Sequence, residues 1–182
     1  PIEENIDSDR LVKEISVHLY DFKAHLNIYL SSLGTRSRVH SLSDILSSGE
    51  YDKGIEENIK TALNLDIESI EYKKRIIKRM ELRNFIMSIM AEYELDAIVY
   101  PHQKRPVVKV GESQVERNGV IGSVTGFPSI VLPAGFTSKT DSAPIGVPVG
   151  IEILAKEWDE TLLFEIGYSC QEATKMRKIP VF

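Results

Sequence analysis

One cysteine, Cys170, occurs in 182 residues. That excludes an internal disulfide and every metal site built from several cysteines, and it suits a reducing, cytoplasmic compartment. Cys170 falls near Leu162, Leu163 and Ile166 in an apparent helix, the setting of a packed thiol rather than a reactive one. No apolar run approaches the ~20 residues that a membrane helix needs, so no membrane span is expected. An excess of positive charge is also lacking: the net charge of −5 excludes general binding of nucleic acid, which leaves a basic footprint. The four histidines, His18, His25, His40 and His102, show no i, i+4 pairing, so no metal site is expected. Phosphate-loop and dinucleotide fingerprints are absent, because Gly119, Gly122 and Gly126 lack the required spacing. No cofactor is therefore expected. Residues 1–7 are acidic and lack the basic-then-apolar order of a secretion signal. With no initiator methionine, Pro1 reads as a processed, trimmed or deliberately cloned boundary, or as the product of methionine removal before proline.

What is present is globular. Apolar residues make up 42% of the chain, enough for a core, and the length fits one domain or part of a larger one. Leu11, Ile15, Leu19, Phe22, Leu26 and Leu30 recur at spacings of three and four, predicting one helix of five turns. Ser8 or Asp9 is placed to cap its start, and Gly34 lies just past its end. Residues 35–54 read as a polar connection. Within it Ser41 and Asp44 form a capping-box pattern for a short helix. A further short helix is expected over 55–64, and a long one over 67–93 with Ile76, Met80, Met87 and Met90 as its inward row and Ile86 and Ile89 flanking it.

After residue 95 glycine and proline become frequent and short apolar runs replace helical periodicity. Ala97-Ile98-Val99-Tyr100 predicts a buried strand stopped by Pro101, and Ser129-Ile130-Val131-Leu132 another stopped by Pro133. Val149, Ile151 and Ile153 alternate with Gly150 and Glu152, a third strand. Residues 161–175 predict a closing amphipathic helix, with Pro180 beyond it. Helices followed by strands with few hairpin signals point to the α/β class, a mixed sheet with flanking helices. Three apolar strands cannot close a sheet of their own, so they belong to something larger.

Few constellations carry chemistry. Gly-x-Ser-x-Gly is absent. Ser123 stands between Gly122 and Gly126 with Lys104 and Lys109 upstream, but a Ser–Lys pair needs a desolvated lysine about 3 Å from the hydroxyl, and nothing in the spacing implies that. His18 and His25 lie seven apart and share a helix face. Arg75, Arg79 and Arg83 fall at i, i+4 and i+8, a positive stripe read as a solvated helix face or as a contact for an acidic surface, with Glu71 placed to pair with Arg75. Residues 101–128 and 133–148 form long loops at strand ends, where ligand clefts are often lined. Glu116, Arg117 and Asn118 are polar groups beside the glycines of the first. In the alternative reading Gly126 and Gly135 merely serve turns.

Read in order, Asp96-Ala97-Ile98-Val99-Tyr100-Pro101, Arg117-Asn118-Gly119, residues 125–136 (Thr-Gly-Phe-Pro-Ser-Ile-Val-Leu-Pro-Ala-Gly-Phe), residues 146–152 (Gly-Val-Pro-Val-Gly-Ile-Glu) and Trp158-Asp159-Glu160-Thr161-Leu162-Leu163 resemble the carboxy-terminal end of amidase-signature enzymes. Residues 21–30 and 41–45 are similar to earlier parts of the same region, so the likeness spans nearly the whole chain. It implies the carboxy-terminal part of an α/β/α sandwich, with residues 1–182 forming one piece of a single amidase domain: 1–95 mainly helical, 96–182 strands, loops and a final helix. It also implies hydrolysis of a carboxamide by a serine assisted by a second serine and a lysine. All three precede this region in the family, so none is carried over, and the isolated chain is expected to be inactive. What the resemblance carries over is substrate-pocket lining at Glu116, Arg117, Asn118 and Ser123. The chain departs from many members at His102-Gln103-Lys104-Arg105, where they have threonines, which leaves the substrate open. The partners so implied are the amino-terminal half of a parent amidase and, in the whole enzyme, a small amide. Unpaired strand edges predict some self-association of the isolated chain. The readings that compete with an amidase fragment are a standalone binding or pseudoenzyme module without catalysis, and an interaction domain using the arginine stripe.

Overall fold

The computed structural model describes residues 7–179, which form two compact units: residues 14–79, and residues 7–13 with 80–179. Residues 1–6 and Pro180, named above, lie outside the described residues.

The helix expected through Leu11 and Leu30 is two helices, α1 (Ser8–Ile15) and α2 (His18–Ser32). Between them Val17 leaves the helical region at φ −115°, ψ 3°, and the Ser16 hydroxyl engages His18 Nδ1 at 2.7 Å. A short polar side chain beside a β-branched residue offers the backbone an alternative to the next helical turn. Neither Ser8 nor Asp9 caps α1. Asp7 Oδ1 accepts the amides of Asp9 and Arg10 at 3.1 and 3.2 Å, and Ser8 is buried instead.

In the helical unit, α3 (Leu42–Ser48) starts as expected: Ser41 Oγ accepts the Asp44 amide at 3.1 Å and Asp44 Oδ2 accepts the His40 amide at 2.8 Å. Leu42 packs with Ile59 and Ala62 of α4 (Glu56–Leu63) to make the centre of this unit. Two side chains of α2 complete it. Asn27 Oδ1 accepts the Leu42 amide at 2.8 Å, and Lys23 Nζ donates to the carbonyls of Leu63 and Leu65 at 3.0 and 2.8 Å, supplying donors at the helix end where carbonyls lack them.

The long helix α5 (Ile70–Glu92) buries Ile86, Ile89 and Met90, whereas Met80, expected inward, is 58% exposed. A single inward row presumes one packing surface, but residues 70–79 and 80–92 belong to different units. Nor is the arginine stripe simply solvated. Arg75 pairs with Glu71 at 3.2 Å and donates to the Ser16 carbonyl at 3.0 Å. Arg83 pairs with Glu157 and lies 5.5 Å from the centre of the Phe127 ring.

The second unit is built on β1 (Ala97–Pro101), β2 (Ser129–Phe136) and β3 (Pro148–Ala155), ordered β1-β3-β2 and antiparallel throughout. The chain is of the α/β class. Pro133 does not stop β2. It sits opposite Gly150, and an irregularity before Gly135 (φ 138°) carries the pairing on to Phe136. Proline is tolerated there because β2 is an edge strand, and the bulge absorbs the lost donor. The loops expected over 101–128 and 133–148 are correspondingly shorter, since α6 (Val120–Thr125) interrupts the first and β2 enters the second. Gly126, at φ +77°, ends α6 as a turn residue.

Helix α7 (Glu160–Thr174) covers one face of the sheet, where Leu163 meets Leu132, Ile153 and Ala155, with Cys170 packed at the margin. On the other face Ile86 and Met90 of α5 pack with Phe127 and Leu154. Val99 of β1 stays 58% exposed, and so do Phe164 (68%) and Tyr168 (72%) on α7.

Candidate functional site

Glu152 stands in the middle strand, directly opposite Tyr100 of β1 and Val131 of β2. It is 2% exposed, and a buried charge requires a partner. His102 provides one: its Nδ1 lies 2.8 Å from Glu152 Oε2. The amide of His102 donates to the Gly150 carbonyl at 3.2 Å, continuing the ladder one residue beyond β1. Alternation along the strand then sets Tyr100 and His102 on one face. The Tyr100 hydroxyl is buried near Glu152, and among the described residues no hydrogen bond of standard geometry reaches it. Burial first, and then the charge of Glu152, push its pKa well above the usual phenol range.

Two glycines let α6 approach this group. A Cβ at Gly119 would stand 2.4 Å from His102 Cε1 and 3.0 Å from Glu152 Oε2; at Gly122 it would meet Leu154 Cδ1 at 3.3 Å. Gly119 has φ −60°, so it is required for space and not for backbone freedom.

The loop from 102 to 119 folds back on itself. The amides of Asn118 and Gly119 donate to the His102 carbonyl at 3.0 and 3.2 Å, and Lys104 N donates to the Glu116 carbonyl at 2.9 Å. Asn118 Nδ2 donates to the Pro101 carbonyl at 2.9 Å, Gln103 bridges Arg117, and Arg105 lies 3.7 Å from Glu116. Three of the four residues expected at a pocket, Glu116, Arg117 and Asn118, are thus gathered against 101–105. Glu116 holds a left-handed φ of 58°, a conformation that costs a non-glycine residue energy. Ser123 is not among them. It is exposed on α6 and its hydroxyl donates to the Val120 carbonyl at 2.9 Å, so it caps its own turn.

Beside His102 opens a cavity of about 470 Å³, bordered by Lys104, Arg105, Val131, Thr137 and Val149. A second cavity of about 770 Å³ lies in the helical unit, where His18 and His25 share a face with Phe22, Leu26 and Tyr29 opposite Ile55. Among the described residues no group of three histidines, cysteines or carboxylates is placed to hold a metal.

Residues 11–164 match the family model described as Amidase. The chain belongs to the amidase family. It is 28% identical over 169 residues to the A subunit of the glutamyl-tRNA(Gln) amidotransferase of Clostridium novyi (strain NT), covering 85% of this chain and 30% of that protein. It is 31% identical over 172 residues to a probable amidase of Arabidopsis thaliana, covering 90% and 30%. This amidase chain therefore spans about 30% of the length of these curated relatives. Its fold is that of two solved structures. One is PAM12A, at TM-score 0.72 and 24% identity over 96% of this chain and 36% of that one. The other is a bacterial aryl acylamidase of the amidase signature family, at TM-score 0.63 and 12% identity over 93% and 34%. Among the described residues no helix is long and apolar enough to cross a membrane.

Within this amidase chain, sequence reasoning missed the pair His102–Glu152 and its neighbour Tyr100. A signal was available. Glu152 is the one charge in the run from Val147 to Ala155, and a lone carboxylate among buried strand residues demands a partner.

Proposed function

We propose that this chain is the carboxy-terminal part of a single amidase domain that hydrolyses carboxamides, and that it supplies a wall of the active-site cleft rather than the reacting groups. The observation that carries the reading is coverage: the family match takes in most of the chain, while the chain takes in only about a third of each related protein. In the mechanism inferred from the resemblance, a serine hydroxyl from another part of the domain attacks the carboxamide carbon. A second serine and a lysine relay its proton to the departing amine or ammonia. Water then cleaves the acyl-serine to release the carboxylic acid and regenerate the hydroxyl. Glu116, Arg117, Asn118 and Ser123 are proposed to line the pocket for the acyl group. Ser123 is then left to accept a hydrogen bond rather than to donate one, since its hydroxyl proton is given to the Val120 carbonyl. The amino-terminal part of the domain is the proposed partner, and the cytoplasm the proposed compartment.

The test is to assay ammonia release from small carboxamides with the 182-residue chain and with the longest native protein that contains it. Activity in the longer protein and none in the chain is the expected result. Turnover by the chain alone would overturn the assignment of the reacting groups elsewhere.

A further inference from the structure

The cavity beside His102 has a composition that the amide chemistry does not use. Part of its lining is apolar: Val131 of β2 and Pro148 of β3, which share one face of the paired strands, with Val107 of the loop. Lys104, Arg105 and His102 also line it. The imidazole there is not free to turn. Its Nδ1 is held 2.8 Å from the carboxylate of Glu152, itself 2% exposed. With Nδ1–H given to a carboxylate, Nε2 is the ring's remaining polar atom.

Two carboxylates near this cavity are engaged. Glu152 is buried on His102, and Glu116 lies 3.7 Å from Arg105 with both side chains 49% exposed. An ion pair that long and that exposed holds its arginine weakly. A shorter bidentate contact from an incoming carboxylate would displace Glu116 from the guanidinium. In a chain of net charge −5, a cavity that joins two cations to an apolar floor selects for a matching ligand: negative at one end and apolar along its body.

We propose that this cavity binds a small organic carboxylate with an aliphatic or aromatic body, its carboxylate on Lys104 and Arg105 and its body against Val131 and Pro148. The ligand is either a carboxylic acid in its own right or the acidic end of a larger molecule, and the site works in this chain whether or not the whole protein hydrolyses amides.

The experiment is an amide-resolved NMR titration of the 182-residue chain at constant ionic strength, with hexanoate, hexanamide and sodium chloride as separate probes. Saturable shifts at Gln103, Lys104, Val149 and Gly150 with hexanoate, and none with the other two, are expected. Lys104→Ala with Arg105→Ala should weaken hexanoate binding by about fivefold, the scale of two exposed charge contacts. Glu116→Gln should strengthen it by about twofold, because it removes the competing carboxylate. Unchanged spectra outside the loop establish that each variant is folded. Equal shifts with hexanamide, an absence of saturable shifts, or hexanoate affinity unaltered in the double variant would each overturn the site.

Discussion

His102 Nδ1 lies 2.8 Å from Glu152 Oε2, joining the residue after one edge strand to a carboxylate buried in the middle strand. The pair ties the 102–119 loop to the sheet, since the same His102 also accepts the amides of Asn118 and Gly119 on its carbonyl. Its two members are not equivalent. His102 retains a 36% exposed side chain, whereas that of Glu152 is 3% exposed. Removing the histidine strands a buried negative charge, while neutralising the glutamate leaves a histidine that water can reach. His102→Ala should therefore cost about 3 kcal/mol and Glu152→Gln about 1–2 kcal/mol. Urea unfolding at neutral pH measures both, and equal or inverted losses would contradict the asymmetry.

Gly119 should tolerate no side chain while His102 is present. A methyl group there would stand 2.4 Å from the imidazole, and overpacking of this kind costs about 1–3 kcal/mol. Combined with His102→Ala, the Gly119→Ala change should lose most of its cost, because the clashing ring is gone. A double-mutant cycle reads this coupling directly. Strict additivity would show that the clash is relieved some other way.

Two of the seven tyrosines should ionise late. Tyr72 is raised by burial and by its hydrogen bond to Asp21 at 2.9 Å, and Tyr100 by burial and the charge of Glu152. Both are neutral in the folded chain beyond the ordinary phenol pKa of about 10. The stability they contribute is thus complete below that pH and lost as pH rises through their folded values. Absorbance of the phenolate should show a late phase that coincides with unfolding. A single phase accounting for every tyrosine near the ordinary value would refute this.

The isolated chain should self-associate. Both β1 and β2 are sheet edges, and Val99, Phe164 and Tyr168 are 58, 68 and 72% exposed. Unpaired edges and contiguous apolar surface seek cover. Sedimentation velocity should show a concentration-dependent rise in mass, reduced by Phe164→Ser with Tyr168→Ser. A sharp monomer at high concentration would contradict it.

Much of the fold was legible because apolar periodicity reports burial: the three strands, α4, α5 and α7 all lie close to where spacing places them. What escaped had local causes. The break at Val17 leaves the apolar spacing intact on both sides, so periodicity is blind to it. Pro133 reads as a stop only when β2 is taken for an interior strand, and edge position cannot be read from one strand's sequence. Glu116, Arg117 and Asn118 were singled out by their glycine-rich context and by the family resemblance, and they remain proposed pocket residues. His102 and Glu152 are fifty residues apart, and only the β1–β3 register brings them together.

The most direct test of the central claim is covalent labelling of the longest native protein containing this chain with a fluorophosphonate probe, followed by peptide mapping. A modified serine outside these 182 residues is predicted, with the isolated chain unlabelled. Modification of Ser123, or of any other serine within this chain, would mean that the nucleophile lies here after all.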